Sequence, residues 1–191
     1  MDNGQHATER KPGIVRSFIG IVAMVVVVIA AAWGLRTFVL EPFEIPSASM
    51  EHTIDTGDRV FAEKLTYLSH SPQPGDIVVF DDPQIPSRTL IKRVVATEGQ
   101  TVDLRDGAVY VDDVKLDEPY TEGAESLPLI PAGNVSLQYP YTVPAGTVWV
   151  MGDNRENSAD SRYFGAVPVS NVTARAFMTY WPLNRIGLLD S

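Results

Sequence analysis

The chain has 191 residues, a net charge of −9 and no cysteine. The missing cysteines exclude disulfides, a thiol nucleophile and thiolate zinc sites. From Glu41 onward 11 Lys and Arg stand against 22 Asp and Glu, a balance of −11, which excludes the basic surface that nucleic-acid binding needs.

Residues 1–16 form a polar tail carrying Arg10, Lys11 and Arg16. Ser17 to Leu35 then runs without a charge. As a helix it is long enough to cross a hydrocarbon core of ~30 Å. It is apolar all round, unlike a helix lying on a globular surface. Arg36 and then Glu41, Glu44, Glu51, Asp55 and Asp58 follow it. The positive-inside rule places the N-terminus in the cytoplasm and the remainder outside. Ala30-Ala31-Ala32 also fits the small-residue end of a cleavable secretory signal, so this segment alone leaves anchor and leader both open.

Beyond Leu40 the chain reads as mainly β, with enough residues to bury a core. Short β-branched runs predict strands at Arg59–Lys64, Ile77–Phe80, Thr89–Val95 and Thr147–Met151. Thr101–Arg105 and Ala108–Asp112 flank Asp106-Gly107, a type I′ hairpin signal. Pro119 to Pro144, rich in Pro, Gly and Ser, predicts long loops. Ala176–Leu189 is apolar but broken by Pro182, Asn184 and Arg185. It is too short for a second span and predicts a buried strand with a terminal segment.

Three stretches can carry chemistry. In Ile45-Pro46-Ser47-Ala48-Ser49-Met50, small hydroxyl residues follow a backbone-fixing proline; an ordinary loop leaving the membrane has the same composition. A serine nucleophile needs a base. Of the three histidines, His6 is in the tail, His52 is three residues from Ser49, and only His70 remains for a Ser-His-Asp arrangement. A buried lysine is the alternative base, because desolvation disfavours its charged form. Lys92 shares one strand face with Leu90 and Val94 by period-two alternation, and Arg93 points the other way. A snorkelling lysine on an edge strand fits the same pattern. Gly152 to Arg162 is dense in polar groups after an apolar strand, which suits either a buried network or a solvated loop. Asp153 and Asp160 lack a recognisable metal-ligand spacing.

Taken together and in this order, Pro46-Ser47-Ala48-Ser49-Met50, Lys92-Arg93, Gly152-Asp153-Asn154-Arg155 and Asn157-Ser158-Ala159-Asp160-Ser161-Arg162 resemble the bacterial type I signal peptidases. Glu41-Pro42-Phe43 and Trp181-Pro182-Leu183 are similar to the family too. The resemblance implies a membrane-bound serine endopeptidase that cuts signal peptides from exported preproteins after Ala-x-Ala-like sites, with no cofactor and no metal. It implies Ser49 as nucleophile and Lys92 as general base. The Ser47 hydroxyl and the Ser49 backbone N–H would form the oxyanion hole. Ser158 would orient the lysine, and Asp160 and Arg162 would support the site. Phe43, Ile45, Pro46, Met50, Leu90 and Ile91 would wall the substrate pockets.

The implied fold is an N-terminal transmembrane helix and two antiparallel β-sheet subdomains. The expected divisions are a tail at 1–16, an anchor at 17–40, a catalytic core at 41–102 and 147–191, and a non-catalytic insertion at 103–146. The implied setting is the bacterial plasma membrane, with the catalytic body on the outer face, near the secretion translocon. The resemblance also favours a retained anchor over a leader. His52, Leu90, Glu156, Phe164 and Ala96-Thr97-Glu98-Gly99-Gln100 depart from the common family pattern without removing a catalytic group. Outside this family, a Ser-Lys autopeptidase of the SOS-repressor type shares the chemistry but is cytosolic. An anchored, non-enzymatic β-domain that binds an envelope partner and a secreted β-protein are the remaining readings.

Overall fold

The structure, a computed structural model, describes residues 14–189. Most of the expected tail, His6 included, lies outside them. Helix α1 (Ile14–Phe38) is 25 residues long, about 37 Å at 1.5 Å per residue. Its stretch Ser17–Gly34 has a mean hydropathy of 2.4 and is buried nowhere. It is a helix long and apolar enough to span a membrane.

The body from Val39 onward is a separate unit. Its strands are β1 (Leu40–Glu44), β2 (Arg59–Glu63), β3 (Ile77–Asp81), β4 (Thr89–Thr97), β5 (Thr101–Arg105), β6 (Ala108–Val111), β7 (Val114–Lys115), β8 (Tyr141–Thr142), β9 (Thr147–Met151), β10 (Val167–Pro168), β11 (Val172–Trp181) and β12 (Gly187–Leu188). A four-residue helix, α2 (Ser161–Phe164), precedes β10. One sheet runs β1-β2-β11-β3-β4-β9-β10, with β12 beside β11; the other runs β7-β6-β5-β8. All pairings are antiparallel. The mainly β expectation with a helix in front and two sheets is what the chain adopts.

The core follows from strand alternation. Ile77 and Val79 of β3 face a cluster with Ile45, Met50, Ile54 and Val60. Val78 and Phe80 face the opposite cluster, with Val94, Val148 and Val150. A strand buried on both faces reads as a continuous apolar run. A third cluster joins the sheets, Val95, Trp149 and Met151 packing on Val102, Leu104 and Val109. Asp106 and Gly107 both have positive φ, 53° and 72°, as the type I′ turn requires.

Two expectations need correction. Ala176–Leu189 is not a buried strand: β11 begins earlier, at Val172, and alternates between buried and partly buried positions. Leu183 and Leu188 are exposed, because the chain turns out at Pro182 and returns only as the short edge strand β12. Sequence patterning also missed β1, where Glu41, Pro42 and Glu44 break the apolar pattern. It lies at the sheet margin, where proline is tolerated. There Glu41 pairs with Lys64 at 2.7 Å and Glu44 with Arg59 at 3.3 Å.

Candidate active site

The centre forms where a turn, a strand and a loop meet. The turn is a single 3₁₀ turn, Ala48–Met50, led in by extended Ser47. Met50 is fully buried and Ser49 nearly so, at 9% exposed, which seats the turn on the core. The strand is β4, in which Lys92 stands opposite Val78 of β3. The loop leaves β9: Arg93 pairs with Met151, so the next residue, Gly152, comes level with Lys92.

The Lys92 Nζ donates to Ser49 Oγ at 2.6 Å and to the Ile91 carbonyl at 2.7 Å. Lys92 is only 2% exposed. Burial pushes its pKa down to about 8; the Asp160 and Asp153 carboxylates push the other way, and Arg88 adds to the lowering. Desolvation outweighs the two carboxylates because both are already matched by guanidinium groups. Arg93 Nε and Nη2 reach Asp153 at 3.0 and 2.8 Å, and Thr53 Oγ1 donates to Asp153 at 2.5 Å. Arg162 Nε and Nη2 each meet Asp160 at 2.9 Å. Asp153 and Asp160 are thus ion-pair partners.

Such a geometry can activate a hydroxyl. A neutral amine within hydrogen-bond distance of a serine oxygen can take its proton as the oxygen attacks. Burial makes the neutral amine accessible near neutral pH.

A protein-family comparison matches residues 18–181 to the signal peptidases, peptidase S26. The chain belongs to the signal peptidase family. A probable signal peptidase I-1 of Synechocystis sp. is 39% identical, covering 89% of this chain and 86% of its own. A signal peptidase I of Mycobacterium tuberculosis is 36% identical, covering 88% and 74%. Thylakoidal processing peptidase 1 of Arabidopsis thaliana is 37% identical, covering 80% of this chain and 45% of its own.

In this signal peptidase a groove of about 410 Å³ opens over the pair, lined by Pro46, Ser47, Ala48, Ser49, Arg88, Thr89, Leu90, Ile91, Lys92, Asn157 and Ala159. Pro46, Leu90 and Ile91, three of the six residues expected to wall the substrate pockets, line this groove. Ile45, Met50 and Ile91 belong to one core cluster, with Phe43 packed against it. The β4 segment at 89–92 is bonded to β3 on one side, and β9 pairs with β4 only from Arg93 on.

Ser47 is exposed, its Oγ 3.5 Å from that of Ser49. Ser158 is buried, but its Oγ has no hydrogen-bond partner among the described residues; the lysine amine bonds Ile91 as well as Ser49. Asp160 takes Gly152 N–H at 3.1 Å as well as its pairing with Arg162.

Sequence reasoning quoted Gly152 without giving it a role. A Cβ there would overlap Ser158 Oγ and the Ser49 carbonyl, and lie 2.6 Å from Ser158 Cβ. A glycine directly after an apolar strand is the available signal, because it marks close backbone approach. Asn154 was missed likewise: its N–H meets the Ser49 carbonyl at 3.2 Å, and its Nδ2 the Ala48 carbonyl at 3.0 Å.

Proposed function

We propose that Ser49 is the nucleophile and Lys92 the general base of this membrane-bound serine endopeptidase, which removes signal peptides from preproteins. The reading rests on one observation, the 2.6 Å contact between a buried lysine amine and the Ser49 hydroxyl. The open β4 segment beside Ser49 suits a peptide docked as an added strand. Ser49 Oγ attacks the scissile carbonyl carbon as its proton passes to Lys92 Nζ. The C–N bond breaks, and Lys92 returns the proton to the leaving amine. A water then attacks the acyl carbon as its proton passes to Lys92 Nζ; the bond from that carbon to Ser49 Oγ breaks, and Lys92 returns the proton to Ser49 Oγ. The Ser49 backbone N–H, with the Ser47 hydroxyl turned inward, would receive the oxyanion. Ser158, Asp160 and Arg162 support this centre, and Pro46, Leu90 and Ile91 face the substrate.

The basic tail and acidic body support an N-terminus in the cytoplasm and a body on the outer face of a bacterial plasma membrane. Signal peptides of exported proteins emerge on that face, beside the translocon. Nine residues from Leu40 to Ser49 span at most ~30 Å, which keeps the nucleophile near the bilayer surface. The core at 41–102 and 147–191 would carry the chemistry, and 103–146 would be the insertion. Incubating the full chain in detergent micelles with a preprotein tests the activity. The product's new N-terminus should follow a small-x-small site; an uncut preprotein would sink the reading.

The pH dependence follows from Lys92. Its amine must be neutral to accept a proton. Below a pKa of about 8 it is mostly charged, so kcat/KM rises about tenfold per pH unit there and levels off above. A profile flat through that pKa removes lysine as the base.

A further inference from the structure

Glu118 and Ser126 lie in the stretch expected to be a non-catalytic insertion, yet both end on the loop that holds Ser49. Arg155, 1% exposed, is the junction. Its Nη1 and Nη2 donate to the two Glu118 carboxylate oxygens at 3.0 and 2.6 Å, and Nη1 also to Ser126 Oγ at 2.6 Å. Its Nε donates to the Gly152 carbonyl at 2.9 Å. The turn so fixed presents Asn154, which bonds the carbonyls of Ala48 and Ser49.

A second bracket runs alongside. Arg162, bound to Asp160, donates to the Leu127 carbonyl at 3.1 Å and to the Arg155 carbonyl at 2.8 Å. The Tyr120 ring lies under the Arg93 guanidinium, 4.1 Å from its centroid. On the far side, Ser126 N–H bonds the Gly107 carbonyl at 2.8 Å in the β5–β6 turn. A continuous polar path thus runs from the second sheet to the nucleophile turn.

We infer that the 118–127 segment is part of the catalytic unit, with Glu118 and Ser126 as positioning residues that set the Ser49 backbone through Arg155. The inference rests on Ser49 being the nucleophile. Neither residue touches the reacting atoms. They fix the turn at 152–154, and that turn fixes the peptide units on which Ser49 and its N–H sit. A small misplacement of a nucleophile costs catalysis far more than binding.

Three variants and a Ser49→Ala control test this in the full chain, with steady-state cleavage and thermal unfolding read together. Glu118→Met combined with Arg155→Met removes both charges at once, so no buried charge is left alone and the fold persists. It should lower kcat about 10- to 100-fold with KM unchanged. Ser126→Ala removes one bond and leaves the ion pair; it should lower kcat severalfold, again at constant KM, and it decides the matter if the double variant does not fold. Ser126→Thr, which keeps the hydroxyl, should restore the rate. Parental kcat in a folded variant, or a loss equal to the unfolded fraction, overturns the inference. Ser49→Ala run in parallel separates the two failures: if it cleaves, the catalytic reading itself is wrong. If it is inactive while the other variants cleave normally, only the positioning role falls.

Discussion

Replacing Lys92 with methionine should abolish preprotein cleavage while making the protein more stable. The activity loss follows from the 2.6 Å contact. Without an acceptor for its proton, Ser49 is an ordinary alcohol. Removing one member of such a unit costs about 10⁴-fold or more in kcat, and Ser49→Ala should be equally inactive. The stability gain follows from burial. The fold holds the amine pKa at about 8 against 10.5 for an ordinary lysine, so the unfolded chain binds the proton more readily. The charged form therefore penalises folding. The penalty is complete below about 8, fades as pH rises toward 10.5, and is gone above it. At neutral pH it is of the order of 3 kcal/mol. Methionine removes it and gives back about 2 kcal/mol for the two lost hydrogen bonds, to Ser49 and Ile91, which leaves a net gain of about 1 kcal/mol. Urea unfolding of the two proteins at neutral and at alkaline pH checks this. A variant less stable than the parent at neutral pH, or one that still cleaves, would contradict it.

Gly152→Ala is expected to be nearly as damaging by another route. The added methyl has no free space, since Ser158 and the Ser49 carbonyl already occupy it. A flexible side chain could step aside, but the Ser49 carbonyl belongs to the backbone that carries the Ser49 hydroxyl. Relief must move the 48–50 turn or the end of β9. Overpacking of this kind costs about 1–3 kcal/mol. A shift of about 1 Å at the nucleophile costs about 100-fold in rate. Adding Ser158→Gly relieves the side-chain overlap alone, so the double variant should stay impaired in kcat. Full recovery would show that Ser158, and not the Ser49 backbone, was the obstacle.

How far the sequence foretold this differs from element to element. Leu90 and Val94 pack on the same cluster while Ile91 packs on the other, so period-two alternation placed Lys92 correctly. Asp106-Gly107 placed its hairpin because only a few residues tolerate positive φ. β1 was hidden because a strand at a sheet margin is specified by its neighbour β2, not by its own polar composition. The depth of Ile45 and Met50 was hidden as well: which face of an irregular turn meets the core depends on the sheet beneath it. Gly152 and the Glu118–Arg155 contact depend on residues far apart in the chain, and no local pattern reports them. The role of Ser158 came from family resemblance, and its hydroxyl stands without a partner among the described residues.

The composition of β1 bears on how this molecule behaves at high local concentration. An open sheet margin is a template on which a second chain can grow, the first step toward aggregation. Pro42 lacks an N–H to offer an incoming strand. The Glu41–Lys64 and Glu44–Arg59 pairs put charge along the same flank. Growth by strand addition is discouraged there. The unpaired stretch of β4 lies instead beside Ser49, where under the proposed reading a chain that adds to the sheet would be cut and released rather than retained.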